Sequence, residues 1–158
     1  MALFVPEATI VQARNPDYRA KLERAFANAA FVAENGIRLV DCAPGLCAST
    51  IELTPHHLQH VGLPHGGLIA TLADHTAGGA AATLVEAAEV VLTAEFKISF
   101  LRGVKAPRLH CRAEVIKPGA QLLFVEAAVE AETADGRRTL VAKASVTLVP
   151  VAAQKIGA

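Results

Sequence analysis

Gln59-His60-Val61-Gly62-Leu63-Pro64-His65-Gly66-Gly67-Leu68-Ile69-Ala70-Thr71-Leu72-Ala73-Asp74 passes from a loop into a helix with no Asp, Glu, Lys or Arg before its last position. The His65-Gly66-Gly67 step stands where the loop should turn into the helix. A helix start presents unpaired backbone N–H groups and a partial positive charge, which suits an oxygen gaining negative charge. Asp74 follows two turns later among Ala, Leu and Thr, where an idle carboxylate would be costly to bury. The two features together point to acyl-transfer chemistry, with an oxyanion pocket and a base or nucleophile.

The helix opened by this step should run from about Gly66 to about Val85. Gly67, Ala70, Thr71, Asp74, Gly78 and Ala81 recur at spacings of three and four, so they share one face of small residues with an acid in its middle. Leu68, Ile69 and Leu72 lie on the neighbouring faces, available to a sheet. Upstream, Asn15-Pro16-Asp17 reads as a helix start, and Tyr18, Leu22, Phe26, Ala29 and Ala33 keep helical spacing until Asn35-Gly36. Ile37 to Asp41 and Leu46 to Leu53 read as a hairpin around Pro44-Gly45.

Downstream the period changes to two. Leu92, Ala94, Phe96, Ile98 and Phe100 form one alternating row, and Leu109, Cys111, Ala113 and Val115 a second. Leu123, Val125, Ala127, Val129 and Ala131 form a third, and Leu140, Ala142, Ala144, Val146 and Leu148 a fourth. Lys117-Pro118-Gly119-Ala120 and Ala134-Asp135-Gly136-Arg137 supply turns. Such alternation predicts an antiparallel sheet with one covered face. The fold class is therefore α+β.

At 158 residues the chain reads as one domain, 1–158. Fifteen Lys and Arg balance fifteen Asp and Glu, so no overall field favours nucleic acid or an anionic membrane. The hydrophobic share of 53% implies a tightly packed small-residue helix and surplus apolar surface for a subunit interface. Cys42, Cys47 and Cys111 are too few and odd in number for a disulfide framework; they read as buried thiols, with Cys42 and Cys47 facing each other across the hairpin. No basic stretch leads into an apolar segment, and no run approaches a membrane span. The expected compartment is the cytoplasm.

Six strands around one buried helix, with Gln59, His65-Gly66-Gly67 and Asp74 at the helix start, resemble the hotdog fold. The resemblance is greatest to the phenylacetate-degradation (PaaI-type) acyl-CoA thioesterases. It covers 37–149 as the hotdog core, leaving 1–36 as an N-terminal extension with its own helix. The string His65 to Asp74 carries it, together with Thr93-Ala94-Glu95-Phe96-Lys97-Ile98-Ser99-Phe100-Leu101-Arg102. It implies an antiparallel six-stranded sheet wrapped around one long central helix. It also implies hydrolysis of an aryl-acetyl, aromatic or short-to-medium acyl-CoA to free acid and CoA.

Residue by residue, the resemblance assigns Asp74 to action on the thioester as base or nucleophile, and the Gly66 N–H to polarising its carbonyl. His65 would shape the loop, orienting rather than transferring protons. Gln59 would position the carbonyl or the water, and Thr93 would help hold that water. Gly67, Arg102 and Lys105 are the expected substrate- and CoA-binding positions. Arg102-Gly103 departs from the family's Arg-Pro ending of this strand. The family's sites form between two subunits, so Asp74 and Thr93 could reach one site from different chains. A homodimer, pairing further into a dimer of dimers, is the expected assembly. Neither a redox cofactor nor a metal is expected, although His56, His57, His60 and His65 crowd ten residues and His57 to His60 has a plausible ligand spacing.

Further basic residues near strand ends, Arg108, Lys117, Arg137, Arg138 and Lys143, are weaker candidates for CoA phosphates. Two other readings share the fold: an acyl-thioester hydratase or dehydratase, and a non-catalytic acyl-CoA-binding module. A pure binder gains nothing from a buried Asp74.

Overall fold

The computed structural model describes residues 11–157; the first ten residues of the expected N-terminal extension lie outside them. Helices α1 (Tyr18–Asn28) and α2 (Ala30–Glu34) precede strands β1 (Arg38–Ala43) and β2 (Leu46–Glu52). The long helix α3 (Gly66–Ala82) follows, and then β3 (Glu89–Phe100), β4 (Arg108–Lys117), β5 (Leu123–Glu132) and β6 (Arg138–Ala152). All pairings are antiparallel, in the order β1-β2-β4-β5-β6-β3, so β1 and β3 are the sheet edges. The sheet curls around α3, which touches all six strands. This is the hotdog architecture.

The helix fits inside the curl because its covered faces are small. Leu72, Ala73, Ala77, Ala80 and Ala81 are wholly buried, and Gly79 lies so close to β2 that a Cβ there would stand 2.7 Å from Cys47 Sγ. Gly67, Ala70, Thr71, Asp74 and Gly78 stay partly open, as their shared spacing predicts. Ala81, assigned to the same stripe, is instead buried. The rows of β4 and β5 alternate as read, with Leu109, Cys111, Ala113, Val125, Ala127 and Val129 turned inward. Cys42 and Cys47 are direct cross-strand neighbours, and all three cysteines are free and buried.

The upstream helix differs from its sequence reading. Asn15 does not cap at the predicted point; its Oδ1 accepts the N–H of Asp17 at 3.0 Å, and the helix begins at Tyr18. Ala29 adopts an extended conformation and splits the run into α1 and α2. The break shifts the stripe by one residue, so Val32 is buried and Ala33 exposed. Arg19 holds α1 to Asp41 at 3.0 Å and to the Cys42 carbonyl. The Lys21 ammonium donates to the carbonyls of Glu86 (3.2 Å), Ala87 (3.0 Å) and Glu89. Phe26 meets the His75 ring edge-on, 4.3 Å between centroids.

Two expectations follow from this packing. Gly79→Ala should lower unfolding free energy by about 1–3 kcal/mol, because the added Cβ would stand 2.7 Å from Cys47 Sγ and 3.4 Å from Phe26 and force the packed β2 side chain to shift; chemical denaturation checks it. Burial holds the imidazoles of His57 and His75 below the ordinary histidine value; His56 lowers His57 further, and Asp74 partly restores His75. As pH falls below about 6.5 the unfolded chain takes up protons that these folded rings resist, so stability should fall towards acid. His75→Phe should flatten that slope in urea midpoints measured at mildly alkaline and mildly acidic pH.

Candidate active site

The loop between β2 and α3 is shaped by its own hydrogen bonds. Pro55–His57 forms a 3₁₀ turn, in which His57 Nδ1 accepts the N–H of Thr54 at 3.1 Å. Gln59 and Leu63 then close a tight loop, Gln59 N–H to Leu63 O at 2.8 Å, with Gly62 at φ +76°. The His65 N–H bonds the His57 carbonyl at 2.9 Å, fixing the chain as it turns into α3.

His65 is the N-cap of that helix. Its Nδ1 accepts the N–H of Gly67 at 2.9 Å, so the ring in this role is neutral with its proton on Nε2. Ser, Thr, Asp or Asn usually fills such a position. The consequence lies one residue earlier. With Gly67 capped, the N–H of Gly66 meets no acceptor among the described residues. Gly66 lies against the ring of Phe100, whose Cζ would be 3.4 Å from an added Cβ.

A cavity of about 370 Å³ opens beside this group. Gln59, Gly66, Phe100 and Arg102 line it together with the apolar Ile69, Leu109, Ala131 and Val141. Lys105 is close by, its side chain lying over Gly62. Among the expected phosphate ligands, Arg108 and Arg138 are held by Glu132 at 3.0 Å each, and Lys143 faces Glu126 at 3.7 Å. Arg102 has no carboxylate partner among the described residues and donates to the Leu140 carbonyl at 3.3 Å. No group of three metal-ligating side chains is gathered among the described residues.

Asp74 and Thr93 form a second cluster. Thr93 Oγ1 donates to Asp74 Oδ1 at 2.8 Å within one chain. They therefore do not approach one another from different subunits; they are one unit, and the expectation of separate chains is corrected. Strict alternation along β3 would turn Thr93 away from Phe96, Ile98 and Phe100. A bulge at Ala94 removes the conflict, since the register passes from Thr93↔Leu148 to Glu95↔Thr147. Both Thr93 and Phe100 consequently face α3.

Eight residues of helix separate Gly66 from Asp74, about 12 Å at 1.5 Å per residue. One chain thus holds two separate clusters, the free N–H of Gly66 with Gln59 beside the cavity, and Asp74 with Thr93. Two residues near the helix start were not singled out in the sequence for their roles. Phe100 reads there as one more inward strand residue, and His57 as one member of a hydrated cluster. Counting the inward row of β3 to its end would have set Phe100 opposite the helix start.

The Thioesterase superfamily model matches residues 61–137. The chain is 31% identical over 98 residues to the 1,4-dihydroxy-2-naphthoyl-CoA hydrolase of Listeria monocytogenes, covering 62% of this chain and 80% of that protein. Among solved structures it resembles a thioesterase family protein from Silicibacter pomeroyi, with TM-score 0.83, 32% identity, and 85% of this chain and 98% of that one covered. The E. coli PaaI protein of the phenylacetic acid degradation operon shares the fold at TM-score 0.74 and 20% identity, over 85% of this chain and 94% of that one. By matched sequence, architecture and the free donor at the start of α3, the chain belongs to the hotdog-fold thioesterase superfamily and is a thioester hydrolase.

Proposed function

We propose that this chain hydrolyses an acyl-CoA with an aromatic, aryl-acetyl or short-to-medium acyl group, at a site assembled from two copies. The observation that carries the reading is the separation of the two clusters. A nucleophile must come within about 3–3.5 Å of the carbonyl carbon, and about 12 Å of helix divides Gly66 from Asp74 of the same chain. A second copy related by a twofold axis supplies its Asp74 and Thr93 to the first copy's Gly66 and Gln59, and the reverse. Edge strand β3 supports the pairing. It is 12 residues long, has a partner strand on one side only and exposes Leu92 and Phe100.

In this arrangement the thioester oxygen accepts from the Gly66 N–H, with the Gln59 side chain beside it. Thr93 fixes one oxygen of Asp74, and the other takes a proton from a water that attacks the carbonyl carbon. The tetrahedral oxyanion forms on the Gly66 donor, a contribution of ~3–4 kcal/mol for a preorganised group. Its collapse breaks the carbon–sulfur bond, and the departing thiolate recovers the proton from Asp74. Arg102, which lines the cavity, and Lys105 close by receive the CoA phosphates, and Gly67 borders the substrate. No metal or redox group enters these steps.

Further pairing of dimers has apolar surface available in Ile116, Leu122 and Phe124, all exposed. Three buried free thiols suit a reducing, cytoplasmic setting.

Asp74→Asn should reduce kcat on the order of 10²–10⁴-fold with unchanged thermal unfolding, read as free thiol released from an acyl-CoA panel. Near-normal turnover would remove Asp74 from the chemistry. Mixing Asp74→Asn with Gln59→Leu under subunit exchange should regain ~25% of wild-type activity, since half the dimers then hold one intact site of two. A site complete within one chain would show no recovery.

A further inference from the structure

Gln59 and the cations Arg102 and Lys105 stand on two different loops. Gln59 belongs to the tight loop ahead of α3, and the cations to the segment 101–107 between β3 and β4. That segment is hydrogen-bonded at both ends. Leu101 N–H donates to the Val141 carbonyl at 2.8 Å, and Leu53 N–H donates to the Pro107 carbonyl at 2.7 Å. Between these ends it forms neither helix nor strand.

The two loops interlock. Leu63 lies over Gly103, where an added Cβ would stand 2.8 Å from the leucine Cδ1. In return the Lys105 side chain lies over Gly62, its Cε 3.7 Å and its Nζ 3.9 Å from where a Cβ would be. Each glycine is a notch that receives a side chain of the opposite loop. Gly62 is also required by its φ of +76°. Gly103 lies outside the left-handed region, so it is the contact with Leu63 that calls for a missing side chain there. A Pro at this position, as in the family's Arg-Pro ending, would fill the notch.

Leu63 is tied to Gln59 as well. Its carbonyl accepts the Gln59 N–H at 2.8 Å, and the Gln59 carbonyl accepts the Gly62 N–H at 2.8 Å. One packing contact and one hydrogen bond therefore connect Gly103 to Gln59, a contiguous route of the kind that energetic coupling needs. We infer that Leu63 is a positioning residue for the hydrolysis: seated in the Gly103 notch, it sets Gln59 against the thioester when CoA phosphates engage Arg102 and Lys105. The inference rests on the acyl-CoA reading above. Phosphates remote from the reacting carbon then raise kcat as well as lowering KM, because their binding is felt at Gln59.

The test takes the acyl group released fastest in the acyl-CoA panel and compares its CoA ester with its pantetheine ester, which keeps the thioester and lacks every phosphate. Thiol release is followed to saturation, so that kcat and KM separate. Wild-type kcat should be about tenfold higher for the CoA ester. Leu63→Ala should bring that ratio to about one by loss on the CoA ester alone, whereas Leu63→Met, which still fills the notch, should keep it. Gly103→Ala reaches the same contact from the other side. It pushes aside the free end of the leucine side chain with the fold intact, and the ratio should again fall to about one. The two Ala substitutions together should lose no more than either alone, since both break one contact. Equal wild-type kcat for the two esters, with the phosphates acting on KM only, overturns the inference and leaves the thioesterase reading standing. So does a Leu63→Ala or Gly103→Ala protein that slows both esters by the same factor, the mark of a merely structural role. A KM for the CoA ester unmoved by Arg102→Ala with Lys105→Ala removes the phosphate assignment and the inference with it. Absence of thiol release from every CoA ester overturns the thioesterase reading itself.

Discussion

A helix can lie inside a curved sheet only if its sides are thin, and this constraint governs the whole molecule. α3 meets it with Ala73, Ala77, Ala80 and Ala81, and with Gly79 where Cys47 leaves no room for a Cβ. Close packing makes such contacts intolerant of even one added carbon. Polar groups caught in the same layer are satisfied locally. Thr76 donates to the Leu72 carbonyl at 2.6 Å and meets Ser49 at 2.5 Å, while Thr83 accepts the Gly45 N–H at 2.7 Å. The helix is consequently held in one rotational setting, and that setting decides which residues remain uncovered.

The uncovered stripe is where chemistry becomes available. Gly67, Thr71, Asp74 and Gly78 escape the sheet because β3, at its edge, ends the curl on that side. The bulge at Ala94 then turns Thr93 onto Asp74 while keeping Phe100 on Gly66. A regular strand could have done one or the other, but not both. At the helix start, a histidine cap performs a similar division, taking the Gly67 N–H and leaving that of Gly66 open.

The extension ahead of the core is fastened by two cations with different tasks. Arg19 pairs with a carboxylate and a carbonyl on β1, where Asp41 is held below the usual aspartate value by that guanidinium. Lys21 closes over the carbonyls of Glu86, Ala87 and Glu89 between α3 and β3, where partial burial lowers its pKa from the ordinary lysine value. Together they fasten α1 to β1 and to the segment between α3 and β3.

Periodicity in the chain was enough to determine the element order, the long small-faced helix and the inward rows of β4 and β5, because a single covered face imposes a period of two and an enclosed helix imposes small residues. The stretch from Gln59 to Asp74 also determined that a donor and a carboxylate would share one helix. Three-dimensional packing alone decided the break at Ala29, the bulge at Ala94, the pairing of Thr93 with Asp74 and the burial of His57. Each depends on contacts between residues far apart in the chain, where a shift of one position reverses which side faces inward. No local pattern records such a shift, since its stabilisation comes from the partner strand or helix rather than from neighbours in sequence.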